Sequence, residues 1–489
     1  MSRSTAVAVD APGLRRRMEE LVERWSLPGL GMAVVVDGET AFLEAVGLAE
    51  IESATPLTPT NRQRIASITK TMTALSVMAL VEEGRLRLED EVADLLPDVV
   101  FHGPAAGMTV EHLLTHTSGI GEAPSLEQLA GEFEGRAPGE PPPSIAERTP
   151  NGIVVELEPG SNWVYANLGY ALLGEILQGV EGVTIDEVLA RRVFRPLGMT
   201  GSDARDEPHG SLAAGYRRPP SPDVREMWAR AGRSLPEDEP TVDGVNIRNE
   251  YRHFYGADGG AQVSLEDMAR YLACLLAQGR GVVTPAAFEA MTRPRWAPHP
   301  ALPAQGLGFA LQRRFGRASF GHGGHILGGW LSSMAVFPDD GLGVAVHLNV
   351  DLEDWRVKVE RELLALLFGA PRPLGGGGRA GVMKVRPDAP GRYVSAGGKL
   401  TAFRVATGTG PLTVATGDGT SDGLRLLARR GRWKDGVDLV PAGDDDPLLF
   451  RVDEPDLAEP SHLAFLPDED GSIAGLVVDD PHVRVRRAH

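Results

Sequence analysis

At 489 residues, with 42% hydrophobic and 24% charged residues, the chain is long enough for two or three soluble domains with a sizeable core. A formal net charge of −18 argues against nucleic acid and anionic membrane surfaces as partners, and a single cysteine excludes an intramolecular disulfide framework. The first ten residues carry no apolar run of signal-peptide length, and no later run is long enough to span a bilayer, so the expectation is a cytoplasmic protein.

Residues 14–25 read as an amphipathic helix, with Leu14, Met18, Leu21, Val22 and Trp25 on one side. Two strand-like runs, 31–36 and 41–46, flank Asp37-Gly38, a strong hairpin signal. Arg64 to Lys70 opens a helix that continues to Glu83 and stops at Gly84; apolar residues cover nearly all its faces, so it belongs inside a large domain. Residues 86–97 read as a short helix ended by Pro97, and 108–119 as a helix with a Thr109 cap that runs into a turn. Helical patterns follow at 168–177 and 264–278. The Pro-rich, acidic stretches 121–150 and 205–255 read as irregular excursions. Cys274 lies within the second of those helices and reads as a buried, inert thiol. Runs 330–337 and 342–348, joined by Pro338-Asp339-Asp340-Gly341, form another hairpin, and 354–368 a final helix. The order predicts an α+β domain: one antiparallel sheet completed by both ends of residues 1–370 and flanked by helices, with a helical subdomain inserted.

Residues 371–381, with Gly375 to Gly378, read as a Pro/Gly-rich linker. In residues 382–489 short strand-like runs follow one another: 399–406, 411–415, 424–428, 437–441, 448–452, 462–466, 473–478 and 482–485. That texture predicts an all-β small antiparallel barrel. The four glycines follow no strand and open no helix, so they bind no phosphate. His322 and His325 lack a third ligand, so no metal and no cofactor is expected.

Ser67 and Lys70, three residues apart, share a helix face. A hydroxyl beside an amine at a buried helix start makes an activated nucleophile once desolvation favours the neutral amine. Ser-x-x-Lys occurs by chance in long chains, but only five of the 49 basic residues here are lysines, and Lys70 is the one in the buried helix. An arginine there could not give up its proton. Tyr165, in a loop leading into a helix, supplies a phenol to move protons, and Asn167 an amide to hold a carbonyl. Phe320-Gly321-His322-Gly323-Gly324-His325 precedes a strand, and its glycines permit close backbone approach. An oxyanion needs two backbone N–H groups, one from Ser67 and the other from the strand after Gly324.

With these residues in place, the chain resembles the serine β-lactamase and penicillin-binding protein superfamily, in the branch of class C β-lactamases, D-amino-acid peptidases and family VIII esterases. The matching pieces are Ser67-Ile68-Thr69-Lys70, Leu113-Leu114-Thr115-His116-Thr117-Ser118-Gly119, Pro159-Gly160 before Tyr165-Ala166-Asn167, Pro196-Leu197-Gly198-Met199, Gly259-Gly260 and His322-Gly323-Gly324, in that order over residues 14 to 368. The resemblance implies Ser67 as the acylated nucleophile, Lys70 as its proton partner, Tyr165 acting on the leaving group and Asn167 holding the acyl side. It further implies that His322, Gly323 and Gly324 line the site, with His325 giving the second oxyanion N–H. The stretch around His116 is implied to be structural. Many relatives have Lys where His322 stands; a mostly neutral His removes a fixed cation for a substrate carboxylate. That disfavours β-lactam hydrolysis. The last domain resembles the lipocalin-like barrel of some relatives.

The expected function is therefore a serine hydrolase working through a Ser67 acyl-enzyme on a small-molecule or short-peptide amide or ester, of D-amino-acid peptidase or esterase type. An acyltransferase, or a cyclising thioesterase of a natural-product pathway, would use the same residues with another acceptor. A non-turnover sensor would keep them without release.

Overall fold

The computed structural model describes residues 7–125, 128, 143–205, 210–219, 225, 245–249, 256–326, 329–352, 355–369, 386–402, 405, 409–416, 423–442, 446–454, 461–478 and 483–488. The expected linker 371–381 lies outside them, as do most of the two excursions. Among the described residues no helix is long and apolar enough to cross a membrane.

An antiparallel eight-stranded sheet organises the first domain, in the order Ala304–Gln305, Ala310–Arg314, Arg317–Ile326, Trp330–Phe337, Leu342–Leu348, Gly29–Val36, Glu39–Glu50, Thr55–Pro56. The two hairpins meet at its centre, where Ala33 pairs with Ala345 and Met32 with Val346. Period-two alternation then sorts the side chains by face. Met32, Val34, Val344 and Val346 pack with Leu14, Met18, Leu21, Leu363 and Leu364 of the terminal helices Ala11–Arg24 and Arg361–Phe368. Ala33, Val35 and Ala345 face the other way, toward Leu265 and Leu272 of helix Leu265–Leu276 and Leu75 of helix Thr69–Glu82. Both faces of the central strands are thus covered, which is why the runs 29–36 and 342–348 are almost wholly buried.

Helix Thr69–Glu82 is buried from Thr69 through Leu80. Its polar side chains find partners: Thr71 Oγ1 donates to Ile68 O (2.7 Å), Thr73 Oγ1 to Ala257 O (2.7 Å) and Ser76 Oγ to Met72 O (2.9 Å). Gly84, at φ +69°, ends it: Gly84 N–H reaches Val81 O and Arg85 N–H reaches Leu80 O, both at 3.0 Å. Two expected helices are shorter than their patterns. Over 86–97 only Val92–Leu95 is helical, because Asp90 Oδ2 accepts from Arg87 N–H (2.8 Å) and holds a turn instead. Over 108–119 helix Val110–Leu114, capped by Thr109, stops two residues before His116, which adopts φ +57°.

The C-terminal domain is a closed eight-stranded barrel. Its strands are Gly391–Val394, Leu412–Thr416, Leu424–Ala428, Val437–Pro441, Leu449–Val452, His462–Pro467, Ile473–Val478 and Val483–Arg487, and Tyr393 pairs with Arg487 to close it. Tyr393, Leu412, Val414, Leu426, Leu463, Phe465 and Leu476 form part of its buried core. One expected strand is wrong: the described residues of 399–406, which are 399–402 and 405, form no barrel strand, and Gly391–Val394 supplies the first strand. The backbone N–H groups that a ladder would use go elsewhere. Leu400 N–H (3.2 Å), Thr401 N–H (2.8 Å) and Thr401 Oγ1 (2.7 Å) donate to the Glu156 carboxylate in the first domain. A second contact joins the domains, with Leu302 among Leu449, Ala464 and Val477 and His299 Nε2 3.0 Å from Asp446 Oδ2.

Candidate active site

Ser67 stands in the 3₁₀ turn Ala66–Ile68 that leads into helix Thr69–Glu82. Ala66 adopts φ +50°, a left-handed conformation that costs a β-carbon residue about 1–2 kcal/mol. Neighbours enforce it: Thr69 Oγ1 donates to Ala66 O (2.6 Å), Ser332 Oγ to Ile65 O (2.7 Å) and Ile65 N–H to Ala261 O (3.1 Å). Strand Arg317–Ile326 runs directly against this turn. A Cβ at Gly324 would overlap the Ile65 carbonyl oxygen and the Ser332 hydroxyl. The close approach that requires this glycine is therefore made by the protein's own nucleophile turn.

Lys70 is 0% exposed, and its Nζ has three acceptors: Ser67 Oγ (3.0 Å), Asn167 Oδ1 (2.7 Å) and Asp258 O (2.6 Å). Three polar neighbours at these distances fix the position of Nζ between Ser67 and Asn167. The sequence pattern suggests burial alone acting on Lys70; the structure adds a full set of acceptors. Asn167 is the first residue of helix Asn167–Glu181. Its Nδ2 donates to Glu122 Oε1 (2.6 Å), which turns Oδ1 toward Lys70.

Tyr165 precedes that helix. Its ring centroid is 5.1 Å from Lys70 Nζ, 6.1 Å from the His322 ring and 4.3 Å from the His116 ring. His322 shares its strand face with Gly324, toward Ser67, and its Nδ1 lies 2.6 Å from Gly323 O. His325 is one residue beyond Gly324 and projects from the opposite face, where Nε2 lies 3.0 Å from Asp351 Oδ1. Its side chain is therefore not in the Ser67 group. The pairing of strand Ala310–Arg314 ends at Gly321, so among the described residues His322 to Ile326 have a ladder neighbour only on the Trp330–Phe337 side.

The structure thus brings Ser67, Lys70, Tyr165, Asn167, His322, Gly323 and Gly324 together, with only the backbone of His325 near them. Burial pushes the Cys274 thiol up to about 12, in keeping with an inert core residue. Burial likewise raises the Tyr170 phenol well above its ordinary value, and its hydroxyl donates to Leu114 O (2.9 Å). Two contributors escape a reading by residue type. The Asp258 carbonyl is a backbone group. Glu122, 4% exposed, sits in a stretch that otherwise reads as excursion.

Comparison with known proteins agrees with this geometry. Residues 14–367 match the beta-lactamase family model. Protein flp of Staphylococcus aureus (strain N315) is 28% identical over 185 residues, covering 37% of this chain and 36% of that protein. Penicillin-binding protein 4* of Bacillus subtilis (strain 168) is 30% identical over 187 residues, covering 38% and 40%. The matches therefore span well under half the length of these curated relatives. An octameric penicillin-binding protein homologue from Pyrococcus abyssi shares the fold over 98% of this chain and 99% of its own (TM-score 0.61, 23% identity). A D-amino acid amidase from Ochrobactrum anthropi SV3, solved with L-phenylalanine amide, covers 73% of this chain and 97% of its own (TM-score 0.58, 25% identity). Because the family match takes in the Ser67 helix, the Tyr165 loop and the strand of His322 together, the chain belongs to the beta-lactamase family, whose fold serves serine hydrolases that include penicillin-binding proteins and D-amino acid amidases.

Proposed function

We propose that the protein is a serine amidohydrolase that forms an acyl-enzyme at Ser67 from small amides bearing a free amino group, of the D-amino-acid amide type. The observation that carries this reading is Lys70 Nζ bridging Ser67 Oγ and Asn167 Oδ1, with the Tyr165 ring beside it. Ser67 Oγ attacks the substrate carbonyl carbon and its proton passes to the Lys70–Tyr165 pair. The backbone N–H groups of Ser67 and His325 hold the resulting oxyanion. The C–N bond then breaks, and the same proton goes to the leaving nitrogen. Water adds to the ester by the reverse proton route, releasing the acid and restoring Ser67.

Charge around the site supports the substrate class. His322 offers no fixed cation for a substrate carboxylate, and the Glu122 carboxylate beside Asn167 favours an ammonium. The likeness to a D-amino acid amidase points the same way.

A panel of D- and L-aminoacyl p-nitroanilides, p-nitrophenyl esters and nitrocefin, with and without an amine acceptor, tests the proposal. Hydrolysis of D-aminoacyl anilides by water, abolished in Ser67→Ala, is expected. Product formed only with the acceptor would reassign the protein to acyl transfer, and Ser67 labelling without turnover to a sensor.

A further inference from the structure

His116 is buried, and it holds its left-handed backbone (φ +57°) without being a glycine. Among the described residues six other non-glycine positions have positive φ, and one of them is Ala66, beside the nucleophile. Strain of this kind persists where the surroundings over-determine it. Here the surroundings are the three residues before Asn167. The His116 carbonyl accepts from Val164 N–H (2.8 Å), its ring stacks on Tyr165 with 29° between planes, and its Nδ1 accepts from Ala166 N–H (3.2 Å). Each residue of the segment is thus gripped by a different part of one side chain and its backbone. The Ala166 bond also fixes the tautomer, because Nδ1 must keep its lone pair, leaving the neutral ring's proton on Nε2. Trp163 and Tyr170 pack on the remaining surface of the ring, at 5.9 and 5.2 Å between centroids.

We propose that His116 is a positioning residue, clamping residues 164–166 so that the Tyr165 phenol and the Asn167 amide reach Lys70 together. It acts through Tyr165 and touches no reacting atom. The proposal rests on the acyl-enzyme reading for its kinetic consequence and on geometry alone for its structural one.

Two substitutions separate the grips. His116→Asn tolerates the left-handed backbone and keeps an acceptor two bonds from Cβ, but loses the stack. His116→Phe keeps the stack and loses the acceptor. A p-nitrophenolate leaving group departs without a proton, whereas a p-nitroaniline needs one, so a displaced Tyr165 penalises the anilide selectively. With rates normalised to Ser67 titrated by a fluorophosphonate, each variant is expected to lower kcat for the D-aminoacyl anilide at least about tenfold. KM should stay within about threefold, and the ester rate should fall clearly less than the anilide rate, because both substrates need the Ser67 proton removed but only the anilide needs a proton delivered to its leaving group. His116→Asn should retain more anilide activity than His116→Phe. Equal loss on ester and anilide would overturn the proposal.

A readout independent of turnover is the near-ultraviolet circular dichroism of Tyr165, followed as the difference between each protein and its Tyr165→Phe derivative. That signal should change in both variants, because one removes the stacked ring and the other the backbone anchor beside it. An unchanged difference spectrum in both variants would overturn the clamp, whereas a wild-type protein that hydrolyses neither substrate would overturn only the acyl-enzyme reading.

Discussion

Glu122 and Asn167 meet through a 2.6 Å hydrogen bond, and the direction of that bond decides which end of the amide Lys70 sees. With Nδ2 committed to the carboxylate, Oδ1 accepts from Nζ at 2.7 Å. Glu122 is therefore both an orienting group and a negative charge next to the acyl side of the proposed site. Glu122→Gln separates the two roles, since its amide oxygen still accepts from Asn167 while the charge is gone. For substrates with a free α-amino group kcat/KM should fall roughly 10- to 100-fold, the worth of a hydrogen bond to a charged group. N-acetylated substrates should be little affected. A matching loss on both would show that Glu122 only orients Asn167.

Lys70 has its three acceptors in fixed places, so replacing it tests geometry and proton transfer together. Lys70→Arg keeps a positive charge but brings a planar fork into a site shaped for a point charge, and it cannot release a proton. The expected loss in kcat is about 10²- to 10⁴-fold, the usual contribution of general acid–base catalysis. Ser67 should remain present and titratable only slowly by a fluorophosphonate. Retention of most of the rate would make Lys70 an electrostatic partner alone.

Glu156 predicts how the barrel bears on the site. Its carboxylate collects Leu400 N–H, Thr401 N–H and Thr401 Oγ1, and a Cβ at Gly121 would sit 2.6 Å from Leu400, one residue from Glu122. Glu156→Ala leaves three donors without that acceptor and should cost about 1–3 kcal/mol of interdomain stability. The readouts are a lower Tm and faster proteolysis around residues 397–402. KM should rise more than kcat falls, because the contact borders the acyl side and not the Ser67–Lys70 pair. An unchanged KM would confine the contact to holding the domains together.

The parts of this molecule that local pattern dictates are legible in its sequence. Runs 330–337 and 342–348 read as strands because both faces are buried and the turn between them is Pro-Asp-Asp-Gly. The Ser67 helix is legible because it is apolar all round and ends on a glycine that does adopt the left-handed region. Tertiary contacts decide the rest. The alternation in 399–406 satisfies a strand pattern, yet Glu156, 245 positions from Thr401 in sequence, takes its N–H groups. His116 looks like one more helical residue until Val164, Tyr165 and Ala166 are seen to hold it out of the helix. Glu122 follows a Gly-rich turn and becomes a site residue only because Asn167 arrives from 45 positions away.

His347 gives the pH dependence its clearest test. It lies in the sheet row that links Gly31, His347, Ser332 and Gly324, so it is aligned with the Ser67 turn. It is 1% exposed, and among the described residues neither ring nitrogen meets a hydrogen-bond partner. Burial pushes its ionisation down to about 4 from an ordinary value of 6.5. Between those two values the unfolded chain takes up a proton that the folded chain refuses, so stability falls as pH drops through that window. Below about 4 both states are protonated and this contribution levels off, after a total loss of roughly 3 kcal/mol. His347→Leu removes the titration and two unpaired polar atoms from an apolar setting, so it should be at least as stable as wild type at pH 7.5. Its advantage in urea midpoint should then widen steadily from pH 6.5 to 4.5. A constant gap across that range would show that His347 is solvated or partnered in solution, and that the acid sensitivity of the fold comes from its carboxylates instead.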